Sequence, residues 1–177
     1  MTLDGYFEGT ESWNLDFHNT IWGPELEKLS LEQLNSADCL AFGRKTYEGM
    51  AAYWKNEKGE IADFMNSIPK LAFSRTLQSV DWNNTTLIKE NASDEIAKRK
   101  AGAQKDIYVF GSANLSETFI NDNLFDEYRI GIAPILLGNG RPLFEKGISQ
   151  QKLGLASMLQ LSNSGMVLIY RPAEKGN

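Results

Sequence analysis

The segment that most restricts this chain is Asp38-Cys39-Leu40-Ala41-Phe42. It is an apolar run without alternation that stops at Gly43 and is followed by the helical pattern Thr46 to Trp54. A short, continuous apolar run suits a strand buried on both faces. A strand that passes almost directly into a helix requires a sheet flanked by helices. The same order of strand, small residues and helix recurs at Ile107–Phe110, Gly111-Ser112-Ala113-Asn114 and a helix reaching about Ile120. Leu26–Ser36 has leucines near helical spacing, and Lys70–Phe73 and Thr85–Ile88 read as short strands. Ser93–Gly102 reads as a helix with Ser93 at its N-cap, acids first and Lys98, Arg99 and Lys100 last. Thr46 is the expected cap of the helix after Gly43, and the polar stretch Lys55–Glu60 is expected to be a surface loop. Glu127–Pro134 alternates as a strand, and Leu155–Leu161 with Gly165–Arg171 form a final antiparallel hairpin. The pattern predicts an α/β fold with a mostly parallel sheet, an antiparallel C-terminal edge and flanking helices.

Composition narrows the chemistry. A length of 177 residues predicts one domain, here 1–172, with a short flexible tail at 173–177. Hydrophobic residues at 42% and charged residues at 23% suit a soluble globular protein. Lys+Arg 18 against Asp+Glu 23 gives a net charge of −5, which argues against a nucleic-acid partner. With Cys39 and His18 the only residues of their types, an internal disulfide, a multi-cysteine zinc site and a histidine-rich metal centre are excluded. The longest apolar run, Ile130–Leu137, is far short of the ~20 residues of a membrane helix. The N-terminus lacks the basic and apolar regions of a leader, so a cytoplasmic location is the expectation.

Four segments carry candidate chemistry. Phe42-Gly43-Arg44-Lys45-Thr46-Tyr47-Glu48 joins a strand end, two cations and a helix start, a combination that suits an anion. A capped helix with two solvated cations explains the same residues. Gly111-Ser112-Ala113-Asn114-Leu115 would let the backbone approach a pyrophosphate, although a plain tight turn does so too, and neither a Walker A loop nor a full dinucleotide fingerprint is present. Pro134–Phe144, with Gly138, Gly140 and Arg141, reads as a rigid loop or as a turn into the last hairpin. Thr2-Leu3-Asp4-Gly5-Tyr6 is most simply a turn, with Asp4 a possible functional carboxylate. Trp13, Trp22, Tyr47, Tyr53 and Trp54 could line a pocket for a planar ligand or simply fill a core. No serine lies in a Gly-x-Ser-x-Gly elbow, so a hydrolase triad is unsupported.

Taken in order, these segments together with Phe73-Ser74-Arg75-Thr76-Leu77 and Asp126-Glu127-Tyr128 through Phe144 resemble the dihydrofolate-reductase-like superfamily. Within it, the chain resembles stand-alone relatives of the reductase domain of the bifunctional riboflavin-biosynthesis deaminase–reductase. The resemblance implies NADPH bound across strand ends and hydride transfer to a small heterocyclic or sugar-bearing substrate, as in 5-amino-6-(5-phosphoribosylamino)uracil reductase. It implies that Gly43, Arg44, Lys45 and Thr46 meet cofactor phosphates, with Arg44 on the 2′-phosphate. By the same resemblance Ser74 and Arg75 flank the adenosine, and Gly111, Ser112, Ala113, Asn114 and Leu115 hold the pyrophosphate. Asp4 is the implied catalytic group, and Trp13, Asp16, Tyr47 and Trp54 are implied for the substrate pocket. His18 stands where folate reducers carry a carboxylate, which disfavours pterin reduction. A non-catalytic nucleotide or metabolite binder and a partner-binding protein are the readings from other classes. The resemblance also implies a homodimer, with Pro134–Phe144 near the boundary, and an apolar strand ahead of Leu3-Asp4-Gly5. The chain opens at Met1-Thr2, so the expectation is a sequence that begins late.

Overall fold

The computed structural model describes residues 1–144 and 147–173. In chain order the elements are β1 (Tyr6–Glu8), a 3-10 turn (Asp16–Thr20), α1 (Pro24–Asn35), β2 (Ala37–Gly43), α2 (Arg44–Trp54), α3 (Glu60–Ser67), β3 (Lys70–Phe73) and β4 (Thr85–Ile88). They continue as α4 (Ala92–Gly102), β5 (Asp106–Val109), α5 (Ala113–Asn121), β6 (Tyr128–Ile132), β7 (Arg141–Pro142), β8 (Leu153–Gln160) and β9 (Met166–Pro172). The chain forms two compact units. One is continuous, 29–124, and the other is built from both ends, 1–28 with 125–177.

The continuous unit holds a four-stranded parallel sheet in the order β4-β3-β2-β5. Leu40, Ala41 and Phe42 of β2 are wholly buried, which is why their run shows no alternation. Leu40 and Phe42 stand on one face with Ala72 and pack with Tyr47, Ala51, Met65 and Trp82. By alternation Leu71 and Phe73 turn to the other face, where Phe73 meets Phe119 of α5 edge-to-face at 5.7 Å. The chain winds one way through β2, β3 and β4, and α4 then carries it back to place β5 on the opposite side of β2.

In the second unit β6, β9 and β8 form an antiparallel sheet with β9 central, so the expected hairpin is present. β1 pairs antiparallel with β7, and Thr2 makes a parallel bridge to Ala133. Of the expected tail, Ala173 donates its N–H to Lys152 O at 2.9 Å, and 174–177 lie outside the described residues.

Several expectations need correction. α2 begins at Arg44, with Gly43 as its N-cap at φ −72°, ψ 163°, so Thr46 is a buried first-turn residue and not the cap. Extended backbone at Gly43 lets strand pass into helix without a capping side chain. α4 begins at Ala92, preceded by Asn91 in the left-handed region at φ 53° with no side-chain cap bond, so Ser93 lies inside the first turn and its hydroxyl is engaged by Asp122 instead. Glu60, read as loop, is the first residue of α3, whose Ala62 and Met65 are buried one turn apart.

Lys70, on the Leu40 side of β3, is buried against the α3 terminus. Its Nζ donates to Met65 O and Ile68 O, both at 2.7 Å, and lies 4.6 Å from the Trp82 ring centroid. Burial pushes its ammonium down to about 8 from 10.5. Between those values the unfolded lysine keeps a proton that the folded one has released, so this group adds stability as pH rises from about 8 to 10.5. Lys70→Met is expected to cost about 2 kcal/mol at neutral pH through lost charge-assisted bonds. The gap between wild type and variant should widen from pH 8 to pH 10, read by denaturant unfolding. A gap that stays constant across that window overturns the assignment.

Candidate functional site

All four strands of the parallel sheet end on the same side, and the residues just past those ends gather there. The sheet changes its direction of winding between β2 and β5, the place where open α/β sheets leave a crevice for ligands. At this point Gly43 N–H donates to Gly111 O at 3.1 Å, and Phe110 N–H donates to Ala41 O at 3.2 Å. α2 starts immediately after Gly43 and α5 immediately after Ser112, so two helix N-termini open from neighbouring strand ends. Gly111 has φ 105°, a conformation natural to glycine, and its peptide bond to Ser112 is cis. A Cβ added at Gly43 would stand 2.2 Å from Ser112 Oγ and 3.1 Å from Ser112 Cβ. Glycine there is required by how closely the two strand ends approach.

Beside this point lies a cleft of about 450 Å³ beyond the ends of β3 and β4. Ser74 and Arg75 form one wall, Lys89, Glu90 and Asn91 another, and Leu115 and Thr118 of α5 close it. The structure therefore brings Ser74 and Arg75, implied by the resemblance for the adenosine, into one cleft with Leu115, implied for the pyrophosphate. Ser74 Oγ accepts from Leu77 N–H at 3.0 Å and Thr76 N–H at 3.2 Å, which fixes the turn that presents Arg75. Arg44 does not line the cleft. It sits in the first turn of α2 and pairs with Glu48 at 3.2 Å, while Lys45 is exposed and Thr46 is buried.

Lys89 and Asn91 were missed from sequence. The signal was available, because both follow strand β4 as Ser74 follows β3, but Thr85–Ile88 is too short to declare its direction. Glu8 was also missed. It is a buried carboxylate whose Oε1 accepts from Trp13 N–H at 2.5 Å and holds the Gly9–Asn14 turn, with Trp13 at φ 68°.

Asp4 has a clear structural task. Its carboxylate accepts from Thr2 Oγ1 at 2.6 Å, Gly138 N at 2.8 Å and Leu137 N at 3.1 Å. The Thr2 hydroxyl first, then the Gly138 amide, holds its carboxyl below the usual range. Asp4 is thus a clamp on the 134–144 loop, and a carboxylate so held is a poor proton donor. Tyr47 is a core residue whose hydroxyl accepts from Asp81 N–H and Trp82 N–H, each at 3.1 Å. Trp54 packs against the same core. Trp13 and Asp16 belong to the other unit and are exposed. Among the described residues no group of three or more acidic, histidine or cysteine side chains could hold a metal ion. No helix there is long and apolar enough to cross a membrane.

A family model for the RibD C-terminal domain matches residues 1–167. The chain belongs to the RibD C-terminal domain family. It is 33% identical over 175 residues to the uncharacterized protein YyaP of Bacillus subtilis (strain 168), covering 96% of this chain and 90% of that one. Among solved structures, it is similar to a Shewanella sp. PV-4 protein assigned by name to riboflavin biosynthesis. That match has a TM-score of 0.79 and 23% identity, over 98% of this chain and 96% of the other. It is also similar to dihydrofolate reductase of Enterococcus faecalis complexed with NADP(H), with a TM-score of 0.65 and 12% identity, over 98% and 93% of the two chains. The resemblance to the riboflavin-biosynthesis reductase domain drawn from the ordered motifs is borne out by the family model, and the dihydrofolate-reductase-like α/β fold by the structural likeness.

The approach of the two strand ends is open to direct test. Gly43→Ala is expected to destabilise by about 1–3 kcal/mol through overpacking. Ser112→Gly in the same chain removes the Oγ and Cβ that collide and should restore most of the loss, measured as a double-mutant cycle of unfolding free energies. Additive losses overturn the contact.

Proposed function

We propose that the chain is an NADPH-dependent reductase that acts on a small heterocyclic or sugar-bearing substrate, of the type reduced by 5-amino-6-(5-phosphoribosylamino)uracil reductase. The observation that carries this reading is the glycine-bounded switch point between β2 and β5, with a helix N-terminus on each strand end and, alongside, a cleft lined by Arg75 and Lys89 together with Glu90 and Asp94. Family membership supports it.

These residues fit the cofactor. The backbone amides around Gly43–Lys45 and Ser112–Asn114 offer donors to a pyrophosphate at two neighbouring helix N-termini. Ser74, Arg75 and Lys89 suit an adenosine carrying a 2′-phosphate, since they set two cations and a hydroxyl around one cleft. Arg44 lies near enough in sequence to the Gly43 turn to add charge to a phosphate on leaving Glu48. The bound cofactor would supply hydride. The chain's part is to orient it and to exclude water with Leu115 and Phe73 at the cleft wall. Asp4 serves by holding the 134–144 loop.

One observation favours the non-catalytic binder as second reading: the carboxylate first considered for catalysis is committed to loop amides. Titration of the protein with NADPH, followed by fluorescence, separates the readings. Binding with oxidation of the cofactor by a pyrimidine or pterin substrate supports the reductase. Binding without turnover on any of them supports the binder, and no binding with folded protein overturns both. Arg75→Gln and Lys89→Gln are each expected to weaken NADPH binding about tenfold, ~1.4 kcal/mol, with little change for NADH. If Arg44→Ala alone removes the preference for NADPH, the 2′-phosphate belongs at α2 instead.

A further inference from the structure

β3 and β4 run parallel with Phe73 beside Ile88, and Ser74 N–H donates to Ile88 O at 2.9 Å, so their pairing runs on past the last strand residues. Two positions beyond that pair, β3 leads to Arg75 and β4 to Glu90. Both residues are exposed, and both line the cleft of about 450 Å³. A guanidinium and a carboxylate are thus delivered to one space from equivalent positions on adjacent strands.

These charges do not neutralise each other. Among the described residues, Arg75, Lys89 and Glu90 make no side-chain hydrogen bond or ion pair. Arg44, Lys55 and Arg99 of the same unit, by contrast, are paired with Glu48, Asp81 and Glu95. Asp94, the other acid of the cleft, has a local task in the first turn of α4. Glu90 lies ahead of that helix and carries no such task.

The two kinds of charge suit different ligands. A carboxylate only accepts hydrogen bonds, so it pairs with the adjacent hydroxyls of an unphosphorylated ribose. A guanidinium pairs with a phosphate on that ribose. This cleft holds both groups. We infer that Glu90 is a specificity-determining residue, a role that rests on the cleft being the adenosine site of a nicotinamide cofactor. Its carboxylate accepts from the ribose hydroxyls of NADH and opposes the 2′-phosphate of NADPH, so the chain takes both cofactors. The repulsion acts at the short range that a cleft of this volume imposes. Two cations face two acids there, so the preference between the cofactors is expected to stay within about tenfold.

Titration of the folded wild-type chain and of Glu90→Gln with NADPH and with NADH, followed by fluorescence, tests this role. Glutamine keeps the size of the side chain and removes its charge. The variant is expected to bind NADH about tenfold more weakly, through loss of charge-assisted bonds, and NADPH about twofold to fivefold more tightly. A merely structural role does not move two cofactors in opposite directions. AMP and its 2′-phosphate should show the same opposite shifts, since the nicotinamide end takes no part. Equal changes for both cofactors, an unchanged ratio, or a wild-type preference beyond about a hundredfold overturns the role of Glu90 and leaves the cleft as the adenosine site. A folded wild-type chain that binds neither cofactor overturns both.

Discussion

The parallel pairing of β2 with β5 is the contact on which the site depends. β2 is buried on both faces and is flanked by β3 and β5, so its end point cannot move independently of either neighbour. Gly43 at that end accepts no side chain, because Ser112 occupies the volume a Cβ would take. The two helix N-termini are therefore set by backbone hydrogen bonds and not by loop side chains. A ligand site fixed this way costs little reorganisation on binding.

Around this contact the continuous unit uses polar groups as internal fasteners. Tyr47 holds the backbone at Asp81 and Trp82, and Trp82 donates to Asn66 Oδ1 at 2.7 Å. Asn66 in turn donates to Trp54 O at 2.9 Å, and Lys70 closes the end of α3. Each of these groups is satisfied, which is the condition for a buried polar network to give specificity without a stability penalty. The aromatic residues that looked available for a planar ligand are, at Tyr47 and Trp54, spent on packing. The cleft is lined instead by short polar groups, by the cations Arg75 and Lys89, by the acids Glu90 and Asp94, and by Phe73, Ile88 and Leu115.

Sequence reasoning located the strands where apolar runs are continuous and the helices where spacing is clear. It failed where a local signal was outcompeted. Thr46 looks like a cap, but the Gly43 backbone already provides the geometry, and burial of Thr46 follows from its place in the first turn. Ser93 looks like a cap, but its hydroxyl is engaged by Asp122. α3 was invisible because its polar start merges with the loop before it. In the candidate site, Ser74 and Arg75 were legible only through the family resemblance, and Leu115 also as part of a segment that opens a helix after a strand. Lys89 was not, since its role depends on β4 being parallel to β3, and strand direction is not encoded locally.

The sequence by itself determined the class of fold, the excluded chemistries and the glycine-marked strand ends. Those follow from local pattern and from the scarcity of cysteine and histidine. Only the tertiary structure decided that β5 crosses to the far side of β2, that Arg75 and Lys89 face one cleft while Arg44 pairs with Glu48, and that Asp4 is a loop clamp. Each of these depends on residues brought together across long stretches of chain. The free energy that unites them comes from burial and backbone pairing over the whole sheet, and no window of sequence contains it.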